Sequence, residues 1–161
     1  MNLKKYLRIF YQPGIQAYAL IKFSATVRRV PVVGKVLSIF IDNFLLYFFA
    51  LEVTSSSIHV NSLVIGHSTG VVLGGNGISS NGTLHVSSGV VFAGRYQGDG
   101  KHANSEFFEI DGDLTIGANS VLLGPLFIKG PTIIGALSLV TKDILVPGVY
   151  VGSPAKRIRD I

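Results

Sequence analysis

Residues 110–146 read IDGDLTIGANSVLLGPLFIKGPTIIGALSLVTKDILV, and their spacing decides the fold. Ile110, Ile116, Leu122, Ile128, Ile134, Val140 and Val146 are branched aliphatics six residues apart. Six is a multiple of the strand period of two but of neither 3.5 nor 3.6, so no helix keeps these positions on one face. A short strand and a turn, repeated at fixed length, does. Gly117, Gly124, Gly130 and Gly135 permit tight turns between them, and Ser120, Thr132 and Ser138 each stand four places after an aliphatic. A fixed short period marks a solenoid whose coils bury one continuous core. A hexapeptide period predicts a parallel β-helix, a three-sided prism with one hexad to each side.

Upstream, the beat starts at Ile58 and Val64, slips by two residues, and resumes at Val72, Ile78, Leu84 and Val90. It fails over the stretch before Ile110, so residues 94–109 are expected as a loop extruded from a corner, where solenoids often carry binding residues. Composition changes near Val53 to Ser, Val, Gly and Asn. The expected organisation is therefore a helical region over 1–52 and a β-helix over 53–161, closed by a tail at 147–161. Within the helical region Pro13 and Gly14 break the opening segment, and IQAYALIKFSATVRR (15–29) then runs without a breaker. Pro31 and Gly34 mark a turn before a second, very apolar helix over Lys35–Leu51.

The 161 residues suit one domain with at most a small appendage, and 48% hydrophobic against 14% charged excludes disorder. So apolar a chain is expected to bury surface against other subunits. The absence of cysteine excludes disulfides and thiolate metal sites. The net charge of +5 gathers near the ends (Lys4, Lys5, Arg8, Arg28, Arg29, Lys156, Arg157, Arg159), which argues against nucleic acid and for a phosphate-bearing small ligand or an anionic surface. Met1–Arg8 is basic, but Gln12, Pro13, Gly14 and Gln16 interrupt the next segment, so no cleavable signal peptide is expected. The run Val36–Leu51 is too short to span a bilayer and carries Asp42 and Asn43. Its expected place is against the solenoid or a neighbouring subunit, with contact to a membrane surface as the second reading.

Of the four histidines, His67 lies in GHSTG at the slip in the hexad register, where a side chain can be turned into a cleft, and His102 lies on the extruded loop. His59 and His85 each follow a core aliphatic and read as surface positions. No HExxH, CxxC, GxSxG, P-loop or GxGxxG pattern occurs.

The hexad array, GHSTGVVLGG (66–75), GDGKH (98–102), IGANSVLLG (116–124), IIGALSLV (133–140) and VGSPAKRI (151–158) together resemble the serine O-acetyltransferase branch of the hexapeptide-repeat acyltransferases. The likeness runs in order from about Pro13 to Ile158. It implies an all-β left-handed parallel β-helix with a short N-terminal helical region, a homotrimer, no metal, and acetyl-CoA as acetyl donor lying between neighbouring coils. His67 matches the family's general base, which takes the proton of an acceptor hydroxyl that attacks the thioester; imidazole can exchange a proton near neutral pH. Glu52 stands where the family has the aspartate that orients this histidine. His102 matches a second active-site histidine, and Lys101 falls at an acceptor-binding arginine, without its bidentate fork. Asp99 shares that loop motif, and Tyr96, Phe107 and Phe108 are placed to stack on a sugar face or on a neighbouring subunit. Gly94, Ala118 and Ala136 match positions along one solenoid edge where backbone approaches the pantetheine arm. Gly152, Pro154, Lys156 and Arg157 match the tail near the CoA nucleotide, its cations suited to phosphates.

The departures bear on the acceptor. Where the family carries an aspartate that helps hold the serine ammonium, this chain has Gly66, and the upstream Asp-Pro motif is missing. An ammonium without carboxylates in a desolvated pocket binds poorly. The pattern resembles the short acetyltransferases that O-acetylate sugars of capsule, exopolysaccharide or O-antigen. That is the expected function, in the cytoplasm, with the inner face of the membrane as the second reading of its place. A serine or small-alcohol acetyltransferase, a sugar-nucleotide N-acetyltransferase and a non-catalytic scaffold are the alternatives.

Overall fold

The computed structural model describes residues 13–74, 77–94 and 107–161. Two helices come first, α1 (Pro13–Val27) and α2 (Val33–Phe49). Pro13 opens α1 at the position where a missing N–H costs nothing. Gly14, Ala17, Ile21 and Ser24 recur at helical spacing and are buried, so α1 lays one face on the β-helix. Gly14 makes the closest approach, since a Cβ there would stand 1.8 Å from the carbonyl oxygen of Ile65.

Helix α2 turns most of its apolar residues away from the β-helix. It buries only Gly34, Ser38 and Leu45, while Phe40, Tyr47 and Phe48 are 68%, 80% and 74% exposed. The face it turns inward is small and polar because a hydrogen-bond cluster forms there. The Asp42 Oδ1 accepts from the hydroxyls of Ser24 at 2.8 Å and Ser55 at 2.5 Å, and Oδ2 accepts from the Ser55 amide at 3.2 Å. Among the described residues no helix is long and apolar enough to cross a membrane.

The strands form the three sides of a prism. Side one stacks β1 (Leu51–Val53), β3 (Val71–Leu73), β5 (Val91–Gly94), β8 (Val121–Gly124) and β11 (Leu139–Val140), all parallel. The long strands β2 (Ile58–Ile65) and β4 (Gly77–Val86) each bend across the next two sides. Side two continues with β6 (Phe107–Asp111) and β9 (Leu126–Lys129) on the first half of β4. Side three continues with β7 (Leu114–Ile116), β10 (Thr132–Ile134) and β12 (Gly148–Val151) on its second half. The last strand, β13 (Lys156–Arg159), folds back antiparallel on β12. Leu114 pairs with Thr132, Val121 with Leu139 and Phe108 with Leu126, in each case eighteen residues on, so three hexads make one coil.

The hexad positions Ile110, Ile116, Leu122, Ile128, Ile134 and Val140 are all buried, and Ser120, Thr132 and Ser138 fill the second inward position of their hexads. Three expectations change. Val146 is 54% exposed; Ile144, bridged to Ile128 only sixteen residues earlier, takes the inward place. Val64 and Val72 face outward, and Leu63, Ile65, Val71 and Leu73 supply the core. LVI and VVL are unbroken aliphatic runs, so composition leaves their phase open. Finally, β6 begins at Phe107, within the stretch expected as loop. Phe108 is buried edge-on against Phe92, with centroids 5.0 Å apart, because β6 continues the stack of side two and turns that ring into the core.

Candidate active site

The column of corners joining side three to side one holds the candidate site. Ile65, Val86, Ile116, Ile134 and Tyr150 pair rung by rung across β2, β4, β7, β10 and β12. Two residues beyond each stand His67, Ser88, Ala118, Ala136 and Gly152. The corners are tied by amide donors: Gly70 to the Ala50 carbonyl at 2.9 Å, Gly89 to Thr69 at 3.0 Å, Asn119 to Ser88 at 2.9 Å and Leu137 to Ala118 at 2.9 Å. Gly70, Gly89, Asn119 and Leu137 all hold positive φ, between 57° and 70°, which turns the chain back onto side one. Stacking is tight enough that a Cβ on Gly117 would meet the Ala136 amide nitrogen at 2.4 Å.

The His67 corner is longer than those above it. Residues 66–70 separate the buried Ile65 and Val71, whereas residues 87–89, 117–119 and 135–137 span the same gap in later coils. This is the two-residue slip in the beat. The longer corner carries the exposed imidazole at the foot of an edge otherwise built of Ser, Ala and Gly. Such an edge leaves room for a long thin ligand to lie against backbone, with its reactive end at a proton-accepting ring.

Glu52 is exposed on side one, between buried Leu51 and Val53 and one rung below Val72. It lines a cleft of about 330 Å³ between α2 and the β-helix with Arg28, Asp42, Asn43 and Thr54, and His67 does not line that cleft. Gly94 does not share the edge of Ala118 and Ala136. It ends β5, paired with Gly124, at the far border of side one, because a four-residue strand separates the two corners. The expected single edge of Gly94, Ala118 and Ala136 is thus two edges of one face. His102, Lys101, Tyr96 and Asp99 lie outside the described residues. Phe107 is 40% exposed and covers Gly77, and Phe108 belongs to the core.

At the C-terminal end, the carbonyl of Gly152 accepts from the Leu139 amide at 2.9 Å and holds the tail across side one. Pro154, Lys156 and Arg157 line a cleft of about 400 Å³ with Lys142, Asp143 and Tyr150. Arg157 pairs with Asp160 and donates from Nε to the Pro147 carbonyl at 3.1 Å, so Lys142 and Lys156 are the cations of this cleft whose charge Asp160 does not share. Sequence reading missed Lys142, and likewise Arg28 and Asn43 beside Glu52. Their only signal is position: Arg28 follows α1, Lys142 follows β11 and Asn43 lies inside α2, and the topology alone brings them to these clefts.

No family model matches the chain. It is 26% identical over 156 residues to the serine acetyltransferase of Buchnera aphidicola subsp. Schizaphis graminum, covering 97% of this chain and 56% of that protein. It is 28% identical over 125 residues to serine acetyltransferase 2 of Arabidopsis thaliana, covering 78% and 37% respectively. Among solved structures, the Neisseria gonorrhoeae serine acetyltransferase in complex with serine superposes with a TM-score of 0.78 at 25% identity, over 95% of this chain and 60% of that one. The chain is thus similar to serine acetyltransferases in sequence and in fold. Its fold is the left-handed hexapeptide-repeat β-helix of those enzymes, with two helices in front. The Brucella abortus serine acetyltransferase in complex with coenzyme A has the same fold, with a TM-score of 0.78 at 21% identity over 93% of this chain and 57% of that one. The chain spans about half the length or less of the curated relatives it matches.

Proposed function

We propose that this chain is an acetyl-CoA-dependent O-acetyltransferase in which His67 is the general base. The observation that carries the reading is the lengthened corner 66–70, which sets an exposed imidazole at the foot of the small-residue edge Ser88, Ala118, Ala136 and Gly152. His67 takes the proton of an acceptor hydroxyl, the freed oxygen attacks the thioester carbonyl, and the tetrahedral adduct expels the CoA thiolate. The imidazolium returns its proton to that thiolate, so one acyl bond forms and one breaks with no net proton change. Glu52 and His102 assist as the orienting carboxylate and second histidine, with Lys101, Asp99 and Tyr96 toward the acceptor. Ala118 and Ala136 flank the pantetheine arm, Gly94 lying on the other edge of side one, while Gly152, Pro154, Lys156 and Arg157, joined by Lys142, meet the nucleotide phosphates.

A homotrimer accompanies this reading. The outward column of side one, Val72, Val91, Val121 and Leu139, is apolar and half-buried in the single chain, as suits a face that packs on a neighbouring prism.

The acceptor is a sugar hydroxyl of a surface polysaccharide. What supports it is Gly66, next to His67, where a carboxylate would be needed to compensate an ammonium. Serine is the second reading, favoured by the likeness to serine acetyltransferases. Thiol release from acetyl-CoA, compared across L-serine, polysaccharides and sugar nucleotides, separates the two. Turnover with saccharides and not with serine is expected; turnover with serine alone overturns the saccharide assignment.

A further inference from the structure

Helix α2 is amphipathic in the wrong direction for a helix that serves only its own core. Its inward face holds Gly34, Ser38, Asp42 and Leu45, and its outward face carries Val33, Leu37, Phe40, Phe44 and Tyr47 in a stripe at helical spacing. The stripe is about 21 Å long at 1.5 Å per residue, which suits a helix lying in a surface rather than crossing one.

The hairpin before α2 extends that face. Val30, Val32 and Val33 are 54%, 74% and 71% exposed. Val32 holds φ 60° and ψ −72°, a conformation that β-branched residues avoid, so backbone energy is spent to present an apolar side chain to the outside. Gly34 lets this tip close tightly, because a Cβ there would meet the Val27 carbonyl oxygen at 2.0 Å.

Positive charge predominates around this face, with Glu52 in the cleft that Arg28 lines. Over residues 13–50 the cations are Lys22, Arg28, Arg29 and Lys35, and the single acid, Asp42, is taken up by Ser24 and Ser55. Beside the tip, Arg28 and Arg29 share a cleft of about 320 Å³ with Ser56 and His59. A second copy of the chain would bring the same cations to the same face and be repelled. An anionic lipid headgroup complements them, and the stripe and tip supply the apolar insertion such binding also needs.

We infer that the hairpin tip and the outer face of α2 dock the protein in the plane of an anionic bilayer, with Arg28 and Arg29 receiving lipid phosphate. This would hold the β-helix edge close to a membrane.

Co-flotation of the full chain with vesicles of phosphatidylcholine, alone or mixed with phosphatidylglycerol, tests it. Binding is expected to the mixed vesicles, falling with salt. Arg29→Ala should weaken partitioning about fivefold. Val32→Asp and Phe40→Asp should each abolish it, while thermal unfolding shows that both variants remain folded. Should either fail to fold, Arg29→Ala and the salt series on the unmodified chain decide the matter alone. Equal binding to both vesicle types would overturn the role of the arginines. No flotation, together with self-association that Phe40→Asp dissolves, would assign the face to a second copy instead.

Discussion

The amide of Gly70 donates to the carbonyl of Ala50 at 2.9 Å, tying the far end of the His67 corner to the residue that caps α2 and precedes β1. Ala50 is itself held by its own amide, which donates to the Leu45 carbonyl. The end of α2, the strand carrying Glu52 and the corner carrying His67 are therefore tied through Ala50, and changes in the helical hairpin should be felt at the corner.

Gly14→Ala gives the cleanest sign. In a free helix this change stabilises, by about 1 kcal/mol. Here the added methyl would stand 1.8 Å from the Ile65 carbonyl oxygen, two residues before His67. We expect a loss of about 1–3 kcal/mol by chemical denaturation. A gain in stability would mean that α1 does not press on β2 as described.

Phe108→Ala should cost about 3–5 kcal/mol, because it empties the space beside Phe92 in the middle of the core. Phe107→Ala, at a 40% exposed ring, should cost much less. Equal effects of the two would contradict the register of β6.

Asp42→Ala removes the acceptor for two hydroxyls and one amide at once. The buried Ser55 hydroxyl would lose its acceptor, while Ser24 keeps the Ser38 carbonyl at 3.2 Å, for a cost of about 1–3 kcal/mol. Replacing both serines by alanine in the same background should recover part of that loss, which a double-mutant cycle would show.

The β-helix was legible because its signal is repeated: one inward aliphatic every six residues survives local noise, and even the two-residue slip marked a real difference in corner length. Single-residue phase was not legible where aliphatics run together, as at Val64 and Val72, or where the last coil shortens and Ile144 displaces Val146. The outward apolar face of α2 was hidden for a different reason. Nothing in its composition tells which face Asp42 will anchor, since the partners Ser24 and Ser55 lie on other elements. Of the candidate site, the small-residue edge was legible as small residues. That Gly94 sits across side one from Ala118 depends on counting strand length, which the motif does not carry.

Ala118→Trp tests the edge. The indole would project over the corner that the Leu137 amide caps at 2.9 Å. Coenzyme A affinity should disappear in a folded variant; unchanged affinity would remove the edge from the proposed donor site.

The most direct measurement is acetyl-CoA turnover with the accepted hydroxyl compound, comparing the unmodified chain with His67→Ala at matched coenzyme A occupancy. A general base predicts a fall in kcat of about 10²–10⁴-fold with coenzyme A affinity little changed. Unchanged kcat in the folded His67→Ala variant would contradict the role given to His67.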